Sequence, residues 1–381
     1  MKVALVYDRV NKWGGAERVL LALHEIWPKA PLFTSVYNPK TAPWAGVFKK
    51  VVPSFLQRFP LAKSKHELYP LLMPIAFESF NFDEYEVVIS VTSEAAKGVI
   101  TKPKTLHLCY CLTPTRYLWS GYSQYFDKEW KRSLTRFPVA YLRKWDKVAC
   151  QRPDYYIAIS KTVQGRIKNY YHRESEVVYP PVNIEKFQIP STKSQTNTKY
   201  KIQNTKYFLV VSRLVKYKKV DLVIEAFNQL GWNLKVVGEG REKRRLQKRA
   251  KENIQFLGQL TDEELLSYYQ NCEAVIYPQE EDFGIVPLEA QACGKPVIAY
   301  RAGGAKETII EEKTGFFFEK QTPECLERKL RELAMSGRIR EIKEKDCRQQ
   351  AEKFSKARFK REFENLVEEK WKNYTKTIFT R

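Results

Sequence analysis

Short apolar runs alternate with helical patterns along most of the chain. The first run, Val3 to Tyr7, is continuously apolar, as in a strand buried on both faces of a parallel sheet. A polar loop follows, and then a helical apolar period from Ala16 to Trp27. The same order returns in the second half as a strand at 208–211, a helix at 220–230 and a strand at 234–237. This alternation predicts an α/β protein with two doubly wound, Rossmann-like domains that face each other across a cleft.

A polar stretch without apolar periodicity, residues 188–206, interrupts the pattern and is typical of a linker or surface loop. We therefore expect an N-terminal domain over 1–187 and a C-terminal domain over 207–354. Residues 355–381 carry apolar side chains at helical spacing. They predict an amphipathic helix that crosses back to the N-terminal domain.

The most informative stretch runs from Tyr277 to Thr308. A strand-like run ends at Tyr277, an acidic cluster follows, and a helix is predicted from Ile285 to Ala292. Ligands of parallel sheets bind at the carboxyl ends of the strands, and free N–H groups at a helix start attract anions. The turn before this helix is therefore a candidate phosphate or sugar site, formed by Phe283, Gly284, Ile285 and Val286.

Two carboxylates flank this turn, Glu281 and Glu289, with seven residues between them. Glu281 is expected in the loop and Glu289 more than one turn inside the helix, so both can face one ligand at different depths. Paired carboxylates also occur in glycosidases as acid and nucleophile. Alternatively, Glu281 compensates the helix dipole and Glu289 is a solvated helical residue.

Candidate phosphate-binding groups follow other strands. Arg213 and Lys218 come after the first strand of the second half, where a guanidinium fork and a flexible ammonium suit a pyrophosphate. Glycines follow two strand ends and allow a ligand to approach the backbone, or they only serve the turns. They are Gly14 and Gly15 after the first strand, and Gly238 and Gly240 in the second half.

The chain of 381 residues carries a formal net charge of +22, which favours anionic partners or marks a generally basic protein. Aromatic and basic residues interleave from Arg116 to Arg152. This segment is either a lipid-headgroup surface or an amphipathic helix pair that covers the sheet.

The seven cysteines have no paired CxxC spacing, and reduced, buried thiols are expected. With four histidines in the chain, we expect no metal site. No signal-peptide pattern precedes the first strand, and no apolar run reaches the ~20 residues of a membrane span. We therefore expect a cytoplasmic protein whose contact with the inner face of the cytoplasmic membrane, if any, is peripheral.

Several motifs in this order resemble the retaining family-4 glycosyltransferases of GT-B fold. In the second half they are SRL-x3-K, VVGEG, FLG-x-L, EDFGIVPLEAQACGKPVIA and GG-x2-E; in the first half they are GGAERVL, YCLTPTRYLW, IAIS and VVYPPV. Within that family, the chain is most similar to bacterial and archaeal mannosyltransferases of surface-polysaccharide assembly.

The resemblance implies a role for each candidate residue. Arg213 and Lys218 would hold the donor diphosphate and stabilise it as leaving group, in place of a metal. Glu281, with the backbone amides of residues 283–286, would bind the hydroxyls of the donor sugar, and Glu289 would bind the ribose. Gly238 and Gly240 would lie beside the nucleotide, and Gly14 and Gly15 would approach the phosphate from the N-terminal domain.

The implied activity is retaining transfer of a hexose, with mannose favoured, from GDP-mannose or a UDP-sugar to a lipid-linked or glycan acceptor. No cofactor and no metal are expected, and the N-terminal domain would take the acceptor. Two other functions stay open: a sugar-nucleotide epimerase, and a basic nucleic-acid-binding protein for which no known module is present. The family often reads YCHTP where this chain has Leu112, which puts sugar or acceptor contacts in doubt; His107 nearby is expected to be structural.

Overall fold

The computed structural model describes residues 1–187 and 206–379. The expected linker 188–206 lies outside the described residues except for Lys206. The chain forms two compact units, and each is built around one parallel sheet. Unit 1 comprises Met1–Pro181 with Ala357–Arg381, and unit 2 comprises Val182–Lys356, so the division falls after Pro181 rather than after Phe187.

The sheet of unit 1 is parallel, with the strand order β3-β2-β1-β4-β5-β6-β7. In the described part of this unit its strands are β1 (Val3–Tyr7), β2 (Leu32–Thr34), β3 (Val51–Pro53), β4 (Val87–Thr92), β5 (Leu106–Cys111), β6 (Tyr155–Ala158) and β7 (Ser175–Val177). Every residue of β1, β4 and β5 is buried, as expected of central strands covered on both faces. The edge strand β3 is absent from the sequence prediction.

Helices of unit 1 connect these strands. They are α1 (Gly15–Ile26), α2 (Met73–Glu78), α3 (Tyr122–Tyr125), α4 (Glu129–Ala149) and α5 (Lys161–Tyr171). The Oγ of Ser160 accepts a hydrogen bond from the amide of Val163 and so caps α5. One core cluster combines Val6 and Val88 from the sheet with Phe77 from α2.

The sheet of unit 2 is also parallel, with the order β10-β9-β8-β11-β12-β13. Its strands among residues 206–356 are β8 (Phe208–Val211), β9 (Leu234–Val237), β10 (Ile254–Gly258), β11 (Val275–Tyr277), β12 (Val297–Tyr300) and β13 (Gly315–Phe318). In each sheet, the chain first adds strands on one side of its first strand and then adds the remaining strands on the other side. This is the doubly wound order. The two-domain Rossmann-like prediction is therefore confirmed.

The helices of unit 2 are α6 (Val220–Leu230), α7 (Lys243–Arg249), α8 (Asp262–Asn271), α9 (Val286–Ala292), α10 (Ala305–Thr308), α11 (Pro323–Met335), α12 (Arg338–Glu341) and α13 (Glu344–Glu352). Leu330 of α11 and Phe227 of α6 share a core cluster with Val210 and Ile298 of the sheet. Thr261 and Glu264 form a capping box at the start of α8.

The last helix, α14 (Lys356–Phe379), belongs to unit 1 from Ala357 onward. Phe359, Phe363 and Val367 are buried on its apolar face. The ring of Phe363 lies 5.4 Å from that of Tyr110 in β5 and 6.2 Å from that of Trp27. The chain therefore completes the core of unit 1 with its final helix.

Candidate active site

The strand order of unit 2 reverses direction between β8 and β11, and ligands of doubly wound sheets bind at such a point. The segment after β8 leads through Arg213 to a 3₁₀ turn, Lys216–Lys218, and the segment after β11 leads to Glu281. Three predicted site residues therefore lie in the segments that follow the carboxyl ends of two adjacent strands.

Lys218 and Glu281 meet at this point. The Nζ of Lys218 forms an ion pair with Oε1 of Glu281, and the two side chains are 11% and 25% exposed. The Nε2 of the buried Gln279 donates to the same Oε1 at 3.3 Å. The ammonium of Lys218 also lies 5.2 Å from the ring centre of Tyr217. A cation and a carboxylate are thus held side by side, partly shielded from water.

Arg213 lies on the exposed side of the same segment. One of its terminal nitrogens donates to the hydroxyl of Tyr217 at 2.7 Å. Tyr217 therefore contacts both cations, one through its hydroxyl and one through its ring. The sequence reasoning missed this tyrosine, although it directly precedes Lys218.

Gly238 and Gly240 pack against the backbone that carries Arg213. A Cβ at Gly238 would lie 2.0 Å from the carbonyl oxygen of Ser212, and one at Gly240 would lie 2.2 Å from that of Leu214. The residue between the two glycines, Glu239, accepts a hydrogen bond of 2.8 Å at its carbonyl from the amide of Leu214. These contacts are sufficient reason for both glycines, whether or not a nucleotide lies beside them.

The loop that carries Glu281 is supported by other glycines. Gly284 has a φ of +88°, and a Cβ there would lie 2.5 Å from the hydroxyl oxygen of Tyr277. The amide of Gly304 donates to the carbonyl of Glu281 at 2.8 Å. The segment Phe283–Val286 lies at the start of α9, where the first helical amides have no partner within the helix.

Glu289 differs from its predicted setting. It lies in the first turn of α9 rather than more than one turn inside, because the helix begins at Val286, and it is buried rather than solvated. Its Oε2 accepts a hydrogen bond of 3.1 Å from the hydroxyl of Tyr269, which is buried in α8. Burial, together with the charge of Glu289, raises the pKa of Tyr269 well above its usual value, so this hydroxyl keeps its proton.

Gly14 and Gly15 lie in unit 1, where β1 passes into α1. A Cβ at Gly14 would lie 3.0 Å from a carboxylate oxygen of Glu17. Glu17 is buried and accepts a hydrogen bond of 2.9 Å from the hydroxyl of Tyr7. Burial and the charge of Glu17 raise the pKa of Tyr7 well above its usual value.

The corresponding reversal point of the first sheet, between β1 and β4, holds a carboxylate of the chain itself. Asp8 is buried and accepts from the amides of residues 93–96 at 2.7–3.1 Å and from the hydroxyl of Thr92 at 2.8 Å. Successive amides that converge on one point form an anion-binding nest. Asp8 therefore occupies the place where an anionic ligand would bind in an ordinary doubly wound domain. The sequence reasoning missed this residue.

With the site in unit 2 described, comparisons with known proteins become informative. The family model "Glycosyl transferases group 1" matches residues 192–354. This match includes Arg213, Lys218, Glu281 and Glu289. Over residues 192–354 the chain is similar to the group 1 glycosyl transferases.

Named relatives of the chain include mannosyltransferases. An uncharacterised glycosyltransferase of Methanocaldococcus jannaschii is 28% identical over 56% of this chain and 59% of its own length. The GDP-mannose-dependent α-(1-6)-phosphatidylinositol monomannoside mannosyltransferase of Mycolicibacterium smegmatis is 32% identical over 36% of this chain and 41% of its own length. The chain thus spans only part of the length of the curated relatives that it matches.

Solved structures share the fold along nearly the whole chain. The structure of Anabaena HepE in complex with UDP has a TM-score of 0.74 at 19% identity, over 97% of this chain and 100% of that one. At this identity the likeness shows the fold alone. The chain thus has the GT-B fold and resembles glycosyltransferases, among them mannosyltransferases.

Metal-binding clusters and membrane-spanning helices are absent from the described residues. Across 1–187 and 206–379, no group of three or more His, Cys, Asp or Glu side chains is arranged to hold a metal ion. Over the same ranges, no helix is long and apolar enough to cross a bilayer. All seven cysteines are buried, and none forms a disulfide in the described chain.

Proposed function

We propose that the protein is a retaining, metal-independent hexosyltransferase that needs no cofactor. It moves a hexose, with mannose favoured, from a nucleotide-diphosphate sugar to a lipid-linked or glycan acceptor in cell-surface polysaccharide synthesis. GDP-mannose is the first donor to test and UDP-sugars are the next. It works in the cytoplasm, at the inner face of the cytoplasmic membrane.

The observation that carries the proposal is the pairing of Lys218 with Glu281 at the carboxyl end of the second sheet. A nucleotide-diphosphate sugar presents two anionic phosphates next to a ring of hydroxyl groups. An ammonium and a carboxylate held side by side match that order of groups, because the first attracts phosphate and the second accepts hydrogen bonds from hydroxyls.

Each remaining residue has a role in the same arrangement. Arg213, directed by the hydroxyl of Tyr217, contributes a second cation for the diphosphate. The opening amides of α9, from Phe283 to Val286, assist Glu281 in binding the sugar, and Glu289 binds the ribose from its buried position beside Tyr269. Gly238 and Gly240 keep the backbone close to the nucleotide. The role expected for Gly14 and Gly15 stays a prediction.

The roles of the two cations in the transfer step follow from the negative charge that develops on the departing diphosphate. The bond between the anomeric carbon and the diphosphate oxygen breaks, and the acceptor hydroxyl forms a bond on the same face of an oxocarbenium-like sugar. The departing diphosphate gains negative charge and takes up the proton of that hydroxyl. Lys218 and Arg213 interact more strongly with this charge than with the intact donor, so they lower the barrier rather than only tighten binding.

The test is transfer by the purified full chain. The protein is incubated with GDP-mannose or a UDP-sugar and a polyprenyl-diphosphate-linked glycan, and glycosylated product is measured together with released nucleotide. Product of retained anomeric configuration supports the proposal. Failure to bind any nucleotide sugar contradicts it, and epimerised donor without acceptor indicates an epimerase instead.

Two variants separate the proposed roles. Lys218→Ala is expected to weaken binding of both nucleotide diphosphate and donor by about tenfold or more, because a charged contact is lost. Glu281→Gln is expected to reduce transfer while nucleotide diphosphate binds as well or better, since the anion that competes for Lys218 is gone. Lys313→Ala, which removes an exposed charge 3.8 Å from Asp346, is the matched control and should change neither.

A further inference from the structure

Helix α4 of unit 1 presents an apolar face that the described residues, 1–187 and 206–379, leave exposed. Trp130, Leu134 and Phe137 are 61%, 73% and 81% exposed, and Tyr141 and Val148 are more than half exposed as well. Large apolar side chains are common singly on protein surfaces, but a contiguous row of them marks an interaction site. We refer to these five residues as the apolar row of α4.

The row is separate from the face by which α4 packs on unit 1. At about 100° per residue, its five members project within about 60° of one another. The buried residues of the helix are Val139, Leu142, Asp146 and Ala149, whose mean direction is roughly 130° away. The sequence left two interpretations of residues 116–152 open, and the structure shows features of both. One face of α4 covers the protein, and another apolar face points to solvent.

Basic side chains are exposed on α4 around the row. Lys144 projects about 50° from the mean direction of the row, and Lys147 and Arg136 are exposed about 110° and 130° from it. The acids of the helix are Glu129 and Asp146, and Asp146 is buried in an ion pair of 2.6 Å with Lys97. The exposed surface around the row is therefore strongly positive, in a chain whose net charge is +22.

We propose that the apolar row of α4 inserts into the headgroup region of an anionic lipid bilayer while the flanking cations bind lipid phosphates. Aromatic and aliphatic side chains next to Lys and Arg are the composition of helices that lie in the plane of a membrane surface. A second copy of this chain is disfavoured as the occupant, because two surfaces of the same positive charge would have to meet.

Helix α4 is attached to unit 1 rigidly enough to serve as a platform. The carboxylate of Asp146 pairs with the buried Lys97 and accepts hydrogen bonds from Thr115 at 3.2 Å and from the indole of Trp119 at 2.7 Å. Thr115 and Lys97 lie in the segments that follow β5 and β4. The row extends over about 27 Å of helix, so binding orients unit 1 on the surface instead of tethering it by one point.

The experiment is sedimentation of the purified full chain with vesicles of phosphatidylcholine, with and without phosphatidylglycerol. We expect binding that requires the anionic lipid and weakens as salt rises. The double variant Leu134→Glu, Phe137→Glu should bind at least about tenfold more weakly, because it places carboxylates in the inserted face. Arg136→Ala, Lys144→Ala should bind more weakly and with a shallower salt dependence.

The matched control is Ile100→Glu, Met335→Glu, which makes the same change of charge at two exposed apolar positions outside α4. It should bind the vesicles like the unaltered protein. Equal loss in the control and in the α4 variant overturns the proposal, as does unchanged binding by the α4 variant. A concentration-dependent dimer in lipid-free solution that the α4 variant abolishes also overturns it. The inference does not rest on the proposed transfer reaction, because donor binding without vesicles should be the same in all these proteins.

Discussion

Gly304 shows how a single hydrogen atom in place of a side chain positions the loop of Glu281. Its φ is −65°, which any residue adopts, so the requirement for glycine is steric. A Cβ there would lie 2.1 Å from the carbonyl oxygen and 2.3 Å from the Cα of Phe283. Both atoms belong to the backbone, and they cannot move aside without moving the loop.

We expect Gly304→Ala to lower the free energy of unfolding of unit 2 by about 1–3 kcal/mol and to weaken donor binding, because the loop of Glu281 is displaced. The matched control is Gly165→Ala in α5, where a Cβ would meet nothing within 4 Å. That change should stabilise unit 1 by about 0.5–1 kcal/mol through helix propensity. Urea unfolding and nucleotide titration measure both. Full donor affinity in Gly304→Ala would contradict the steric argument.

His107 gives the protein an acid sensitivity unrelated to catalysis. It is fully buried in β5, and its Nε2 lies 2.8 Å from the hydroxyl oxygen of Ser90. Burial, with the charges of Arg152 and Arg173, lowers the pKa of His107 to about 3. The unfolded chain binds a proton at this residue below about pH 6.5, whereas the folded chain does so only near pH 3.

The contribution of His107 to stability is therefore complete above about pH 6.5 and is lost as the pH falls toward the folded pKa. Between about pH 6.5 and pH 5 we expect a loss of about 2 kcal/mol from this group. His107→Asn should make the urea midpoint of unit 1 less dependent on pH, although less stable at neutral pH. An unchanged pH dependence in this variant would show that His107 is not the group responsible.

The positions of Arg213, Lys218 and Glu281 in the chain could be predicted, because each follows the carboxyl end of a strand in a parallel sheet. Their partners could not. The contact of Glu289 with Tyr269 joins α8 to α9, and that of Lys218 with Glu281 joins segments after two different strands. Such contacts depend on how helices and strands pack against one another, and the hydrophobic periodicity along the chain carries no information about that packing.

At the scale of elements, prediction of helices and strands succeeded where polar or turn-forming residues flanked an apolar run on both sides. Strands β8 and β9 and helix α6 have the predicted bounds. The missed strands lack that signal: β3 is a half-buried edge strand of three residues ending at Pro53, and β13 opens on Gly315. The backbone of Gly315 lies against Val297, where a Cβ would come within 2.1 Å of the carbonyl oxygen, so tertiary packing determines this strand.

The turn after β4 depends on Asp8 for the hydrogen bonds of four successive amides. Asp8→Asn keeps the shape but puts an N–H₂ group where a carboxylate oxygen accepted. We expect unit 1 to lose roughly 3 kcal/mol or more of unfolding free energy, since hydrogen bonds to a buried charge are the strong ones.

Asp83→Asn is the control for this prediction, because it neutralises a carboxylate in an exposed ion pair with Lys102 and should cost about 1 kcal/mol or less. Thermal unfolding compares the two, and hydrogen exchange of the amides of residues 93–96 locates the effect. If Asp8→Asn is as stable as the unaltered protein, the amides of this turn do not depend on the carboxylate.

At the scale of the whole molecule, each unit has its own core, so damage to one should leave the other folded. Phe363→Ala in α14 is expected to destabilise unit 1 by about 3–5 kcal/mol, because it removes a fully buried ring that packs on Tyr110. The reciprocal variant, Phe318→Ala in β13, should destabilise unit 2 by a similar amount. Hydrogen exchange resolved by unit is the measurement, and loss of protection spread equally over both units in either variant would show that they unfold together.

The return of the chain to unit 1 through α14 has a consequence for synthesis on the ribosome. Unit 2 is a continuous segment whose ends are already joined, since Val182 and Ser355 form a β-bridge. It can close its core as soon as it has emerged, because domains fold as units during translation. Unit 1 is made first but lacks Phe359, Phe363 and Val367 until α14 has left the exit tunnel. The N-terminal unit therefore starts to fold first and finishes last, with the face of β5 that Phe363 covers exposed until α14 emerges.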